Sequence, residues 1–305
     1  MQASVRPRRS ALYVPGSNAR AIAKAKTVPA DVIIFDLEDS VPTGSKEIAR
    51  EAVSSAVSEL AGSKREIVVR INGLDTPWIA RDIAAMVAAR PDALLLPKIE
   101  RTDDIRRARA AFAAARAPAT LNLWLMMETP AAILNAAAIA AISAIPAPAI
   151  TGFVIGTNDL ATELGVLPRP GRAALLPHLA QALLAARAHR LVILDGTFND
   201  LEDRKGMRAE CVQGREMGMD GKTLVHPAQV PIANEAFAPD GEELAWARRV
   251  VEAFAQPENM GVEVMQLAGR MVERLHERAA RRMLAMADAI AAMDESAGSK
   301  PRGKK

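Results

Sequence analysis

The stretch Val32-Ile33-Ile34-Phe35-Asp36-Leu37-Glu38-Asp39 decides the fold. Its apolar residues run without alternation and then give way at once to acids. A continuous apolar run of this length is the pattern of a strand buried on both faces, as in a parallel sheet covered by helices. Seven further runs share it: Ala11–Val14, Ile67–Ile71, Ala93–Leu96, Leu121–Met127, Gly152–Ile155, Leu191–Leu194 and Lys222–Val225. Between them lie longer amphipathic stretches, near 18–27, 46–61, 77–89, 102–115, 130–142, 172–189, 202–217 and 228–236. Eight strands, each followed by a helix, predict an α/β fold, a (β/α)8 TIM barrel over residues 9–239. A doubly wound sheet, with fewer strands and a reversal of order, ranks second.

Beyond residue 239 the alternation stops. Asp240–Ala255 and Arg270–Met293 read as two helices with no strand between them, joined by a connector holding Pro257 and Gly261. This predicts a helical C-terminal extension over 240–293, packing on the barrel or on a neighbouring subunit. The tail 294–305 has the composition of a disordered basic segment.

The chain of 305 residues is half hydrophobic and one quarter charged, a globular composition. Its single cysteine, Cys211, excludes an intrachain disulfide framework and fits a reducing compartment. The net charge is +3. However, Arg6, Arg8 and Arg9 at one end and Lys300, Arg302, Lys304 and Lys305 at the other hold more than the whole excess. The body between them has 32 bases against 36 acids. Aromatics make up 3 % of the chain, too few for a base-stacking surface. Nucleic-acid binding through frayed basic ends is therefore the weakest alternative. No apolar segment reads as a leader or a membrane span, so a cytoplasmic protein without membrane contact is expected.

In a parallel barrel the chemistry gathers where the strands exit. Those exits read Pro15-Gly16-Ser17, Asp36-Leu37-Glu38-Asp39, Arg70-Ile71-Asn72-Gly73, Pro97-Lys98-Ile99-Glu100, Glu128-Thr129-Pro130, Gly156-Thr157-Asn158-Asp159, Asp195-Gly196 and His226-Pro227. Carboxylates converging from Glu38, Asp39, Glu128 and Asp159 would repel one another at low dielectric, and a hard divalent cation would relieve that. Arg70 and Lys98 could then hold an anionic substrate. Simpler roles compete with these. A strand-exit acid is often a helix cap. Asp36 could bond loop amides, Lys98 could pair with Glu100 or Glu128, and His226 could serve packing or the site. Cys211, inside a helix with no histidine beside it, reads as inert. No zinc-type Cys/His spacing exists.

These exits, in this order, resemble the citrate lyase beta-subunit (CitE-like) family of the HpcH/HpaI aldolase superfamily. The resemblance starts at Arg9-Ser10-Ala11-Leu12-Tyr13-Val14-Pro15-Gly16-Ser17 and continues through Asp36-Leu37-Glu38-Asp39-Ser40-Val41, with Lys46 and Arg50 downstream. It then takes in Val69-Arg70-Ile71-Asn72, Leu96-Pro97-Lys98, Glu128-Thr129, Gly156 to Leu160 and Val225-His226-Pro227. It covers about residues 9–275. It implies a Mg²⁺-dependent carbon–carbon lyase, with Mn²⁺ as a substitute ion, that cleaves a 3-hydroxyacyl-CoA (malyl-, citramalyl- or citryl-type) into an acyl-CoA and a 2-oxo acid.

On this resemblance Glu128 and Asp159 hold the metal, and Arg70 binds the substrate carboxylate. Glu38 and Asp39 lie near the metal waters. Lys98, Gly156, Thr157 and Asn158 contact substrate, while Ser17, Arg20, Lys24 and Lys46 face the CoA. Glu273, in Gly269-Arg270-Met271-Val272-Glu273, fills the position of an acid supplied by the neighbouring subunit of a homo-trimer or hexamer. Two positions depart from the pattern. Asn18-Ala19 replaces the usual Arg-Pro, with Arg20 or Lys24 as substitutes, and Asn158 replaces an acid. Alternatives within the same site are an aldolase of free 2-oxo-hydroxy acids, a malyl-CoA thioesterase, and a citrate lyase subunit needing a carrier-protein partner.

Overall fold

In a computed structural model, which describes residues 5–144, 148–167 and 169–298, eight strands close into one parallel barrel in sequence order. They are β1 (Ser10–Pro15), β2 (Val32–Asp36), β3 (Glu66–Arg70), β4 (Ala93–Leu96), β5 (Asn122–Met127), β6 (Ile150–Ile155), β7 (Val192–Asp195) and β8 (Gly221–Leu224). The helices are α1 (Ala19–Ala25), α2 (Lys46–Glu59), α3 (Ile79–Ala89), α4 (Thr102–Ala114), α5 (Pro130–Leu134), α6 (Ala136–Ala141), α7 (Thr157–Leu164), α8 (Leu176–Ala188), α9 (Arg204–Met217) and α10 (Val230–Ala236). All eight expected strands form, with boundaries within about two residues.

The apolar runs are continuous because each strand feeds two cores. Val32 and Ile34 of β2 join Val68, Leu95, Trp124, Met126 and Val154 inside the barrel. Ile33 and Phe35 turn outward to the layer beneath the helices. Trp124 fills the interior, and the Cβ position of Gly152 is already 3.3 Å from its ring. Continued toward the strand exits, this alternation aims Asp36 and Arg70 at the barrel mouth.

The basic N-terminus corrects an expectation. Arg8 and Arg9 are not frayed charges. Arg9 donates to Asp31 through Nε (2.8 Å) and Nη2 (2.9 Å), and Arg8 pairs with Glu66 while its guanidinium lies 5.8 Å from the Trp124 ring centre. A buried guanidinium persists because its partner is buried with it.

Three helix expectations also change. The expected helix at 130–142 breaks at Asn135, whose amide Nδ2 donates to Glu100 O at 2.9 Å. The expected helix at 172–189 starts only at Leu176, and α7, immediately after β6, was not among the expected helices.

The described residues divide into two compact units, Arg8–Phe237 and residues 238–298 with 5–7. The second contains α11 (Gly241–Ala255), β9 (Val264–Leu267), β10 (Arg270–Glu273) and α12 (Arg274–Gly298). The expectation of two helices with no strand between them fails here. Residues 270–273 are an antiparallel partner of β9, and the last helix begins after Glu273. The cause is local. Ala268 (φ 49°) and Gly269 (φ 78°) are both left-handed, the geometry of a two-residue hairpin turn. The core of this unit joins Ala247, Val250 and Phe254 to Val272 and Ala280, and the Arg249 and Arg270 guanidinium carbons lie 5.1 and 5.0 Å from the Trp246 ring centre. The helix α12 continues past Asp294, into the segment expected to lack structure, and residues 299–305 lie outside the described residues. Among described helices none is long and apolar enough to cross a membrane.

Alanine at a left-handed turn position is strained, whereas asparagine tolerates it. Ala268→Asn should therefore raise stability by about 0.5–1 kcal/mol, read as a higher urea midpoint for the full chain.

Candidate active site

The barrel mouth is built around one buried cation. Asp36 and Arg70 end β2 and β3 and are direct register partners. Arg70 donates to Asp36 from Nε and from Nη2, both at 2.7 Å, a bidentate clamp between two buried side chains. The same carboxylate accepts from the Glu38 amide (2.9 Å), the Ser40 amide (3.1 Å) and the Ser40 hydroxyl (2.5 Å). Burial alone would raise Asp36, but the Arg70 charge and hydrogen bonds outweigh it and hold its carboxyl below the ordinary range. The third guanidinium nitrogen of Arg70, Nη1, lies 2.9 Å from Glu38 and 3.3 Å from Asp39. The ring of Tyr13 lies 4.9 Å from the guanidinium carbon, and burial raises its phenol. Burial also pushes Glu38 up to about 8 against the pull of Arg70, with Asp39 and Glu128 adding to the rise.

A second cluster stands beside the first. Glu128 follows β5 and is almost fully buried. Its Oε1 accepts the Lys98 backbone N–H at 2.8 Å, and its Oε2 accepts no hydrogen bond. Thr129 caps α5 and Pro130 takes the first helical position, so the chain turns away and leaves the carboxylate facing inward. A Cβ on Gly156 would lie 2.4 Å from Glu128 Cβ and 2.8 Å from its Oε2, so only glycine permits this approach. Asp159, on the first turn of α7, pairs with the Lys98 ammonium, which also lies 3.8 Å from Glu128. Lys98 itself is left-handed, with φ 53°. Burial raises Glu128, and Asp159 adds to this. For Lys98, burial lowers the ammonium, but the hydrogen bond it donates to Asp159 and the charges of Glu128 and Asp159 outweigh this, and the net shift is upward.

This donor set fits a hard divalent ion. It offers two carboxylates, one with a buried oxygen lacking a partner, and no nitrogen or sulfur ligand. Among the described residues no cluster of three His, Cys, Asp or Glu forms a closed metal cage. An ion held by Glu128 and Asp159 would therefore keep positions for water and substrate oxygens, as Mg²⁺ prefers.

The expected residues sort clearly. Arg70, Asp39, Gly156, Thr157, Asn158 and Asp159 line one cleft of about 380 Å³, with Tyr13, Asp36 and Thr197. Glu38, Lys98 and Glu128 reach these residues through the contacts above. Ser17, Arg20 and Lys24 are exposed at the exit of β1 and along α1. Lys46 corrects an expectation. It is buried, and its ammonium donates to Leu37 O (2.8 Å) and Glu38 O (2.7 Å), so it braces the acidic loop rather than facing a CoA phosphate. Arg50 is likewise spent on Asp82. His226 is a cap, its Nδ1 accepting from the Ala228 amide at 3.1 Å. Cys211 is buried, and burial pushes its thiol up to about 12, as its inert reading requires. Glu273 closes β10 in the second unit, and its backbone N–H donates to His276. Tyr13 and Asp36 were not read as site residues from sequence. Period-two alternation along β1 and β2 would have turned both inward.

A sequence profile described as HpcH/HpaI aldolase/citrate lyase matches residues 9–227. A (3S)-malyl-CoA thioesterase of Cereibacter sphaeroides is 47 % identical over 290 residues, covering 95 % of this chain and 98 % of that protein. The citrate lyase subunit beta of Escherichia coli is 33 % identical over 277 residues, covering 89 % and 90 %. The solved structure of CitE from Mycobacterium tuberculosis in complex with magnesium, acetoacetate and coenzyme A superposes with a TM-score of 0.72 at 30 % identity, covering 94 % of this chain and all of that one.

Asp36→Asn should cost about 3–5 kcal/mol in urea unfolding, because it leaves a buried guanidinium short of its partner. The exposed Asp39→Asn should cost about 1 kcal/mol or less. Equal losses would mean that Asp39 holds Arg70 as firmly as Asp36 does.

Proposed function

The chain belongs to the HpcH/HpaI aldolase/citrate lyase family, and from that premise we propose that it hydrolyses a 3-hydroxyacyl-CoA of the malyl-CoA type with a divalent cation, Mg²⁺, at Glu128 and Asp159. The observation that carries this reading is the near-full-length similarity to a malyl-CoA thioesterase. The cleft supports it with an all-oxygen metal site next to a fixed guanidinium. When bound, the ion supplies Lewis-acid polarisation of substrate oxygens.

The chain's own residues do the rest. Arg70, clamped by Asp36, directs Nη1 at a substrate carboxylate and neutralises charge that develops there. Glu38 and Asp39 flank that nitrogen and would take the proton of the attacking water. Water adds to the thioester carbonyl, the carbon–sulfur bond breaks, the sulfur leaves as CoA thiol with a proton, and the free hydroxy acid remains. Gly156 keeps Glu128 seated, and Thr157 and Asn158 form the wall beside Asp159. Arg20 and Lys24, exposed at the β1 exit, suit the CoA phosphates.

A second reading is cleavage of the carbon–carbon bond into an acyl-CoA and a 2-oxo acid. It is supported by the magnesium, acetoacetate and coenzyme A bound to the mycobacterial relative. Here the base takes the 3-hydroxyl proton, the bond between C2 and C3 breaks, and Glu273 from a neighbouring subunit of a homo-trimer or hexamer returns a proton to the enolate carbon.

With malyl-CoA and Mg²⁺, equal release of free thiol and malate is expected. Glyoxylate and acetyl-CoA without thiol would transfer the assignment to the lyase. Glu128→Gln and Asp159→Asn should each lower either rate roughly 10²–10³-fold. Glu273→Ala should be inactive in cleavage alone but regain activity when co-expressed with Asp159→Asn. A fully active monomer in sedimentation would exclude the shared site.

A further inference from the structure

Next to the mouth, the segments after β6 and β7 enclose a second cavity of about 740 Å³, roughly twice the mouth cleft of about 380 Å³. The two share Thr157, Asn158 and Thr197 as a common wall. The second cavity is mainly apolar, lined by Ala161, Val166, Ala173, Leu175, Phe198 and Ala209. Much of the charge that reaches it is already engaged. Arg172 donates to Asp195 at 2.6 Å and lies 3.3 Å from Glu210, and Asp203 caps α9. At the shared wall, Asn199 donates to the Asn158 side chain at 2.8 Å. Ligand pockets have this size and this character, apolar walls with a few fixed polar groups.

The direction of the substrate follows from the neighbours of this wall. Asp159 stands on the same first turn of α7 as Thr157 and Asn158. An acid held at Glu128 and Asp159 therefore lies against the shared wall. On the functional reading above, its thioester arm runs elsewhere, toward Arg20 and Lys24, which are exposed. What remains is the substituent on the hydroxyl-bearing carbon, which stays a hydroxy carbon on hydrolysis and becomes the keto carbon of a 2-oxo acid on carbon–carbon cleavage. We propose that the side cavity receives an alkyl chain on that carbon, so that this chain accepts 3-hydroxyacyl thioesters and 2-oxo acids with several-carbon apolar substituents. The inference rests on the cation site at Glu128 and Asp159 that both readings above share, and adds the substrate class.

Binding, rather than turnover, tests it. Isothermal titration of the full chain in Mg²⁺ with pyruvate, 2-oxobutanoate, 2-oxopentanoate and 2-oxohexanoate should give a Kd that falls about threefold to fourfold per added methylene. Ala161→Phe should abolish that gain and leave pyruvate binding unchanged. Ala173→Trp, at an exposed position of the same lining, does the same if Ala161→Phe fails to fold. Pyruvate binding with no gain from chain length would overturn the side-cavity assignment alone. A variant that weakens every acid equally would also overturn it. Failure of every acid to bind would overturn this assignment together with the cation site at Glu128 and Asp159 beneath it, whereas the thiol and malate assay above decides the reaction separately.

Discussion

The bidentate bond between Arg70 and Asp36 is the constraint around which the mouth is arranged. A guanidinium taken out of water costs several kcal/mol unless its partner is buried with it and well aligned. Strand register supplies that alignment, since the two residues face each other across β2 and β3. Because Asp36 occupies Nε and Nη2, only Nη1 is left toward the cleft, where Glu38 and Asp39 approach it. Tyr13 covers the guanidinium, and Lys46 pins the loop that carries both acids. One nitrogen is thus presented to the cleft in a fixed direction, beside Glu38 and Asp39.

The neighbouring cluster solves an opposite problem. Glu128 and Asp159 are brought close with too little positive charge between them, and Lys98 stands in as the cation, through its backbone to one carboxylate and its ammonium to the other. A divalent ion bound there would have to displace or share that ammonium. Lys98 has a flexible stem and can withdraw, which Arg70 cannot do. The site therefore pairs a rigid cation with a movable one. That division suits both hydrolysis and carbon–carbon cleavage, which differ in whether water or the substrate hydroxyl loses its proton.

Much of this was legible in the amino-acid sequence. The strands stood out because a barrel buries both faces of every strand, so each run is unbroken. Arg70, Glu128 and Asp159 stood out because ionisable residues at the ends of such runs have little other reason to recur. The hairpin at 264–273 was missed because four-residue strands are too short to show alternation, and because Ala268 is an uncommon residue for a left-handed turn. Lys46, Arg8 and Arg9 were misread because a basic side chain looks the same in sequence whether it faces solvent, a carboxylate or a carbonyl.

The sequence alone determined the barrel, its eight-fold count and the set of charges at its exits, since these follow from hydrophobic periodicity and chain order. Only the tertiary structure decided which charges meet. The side chain that holds Arg70, the glycine that lets Glu128 fit, and the lysine spent on a loop rather than a ligand all depend on distances between segments far apart in the chain. Pairing energies fall off within a few ångströms, and no local pattern of residues encodes such distances.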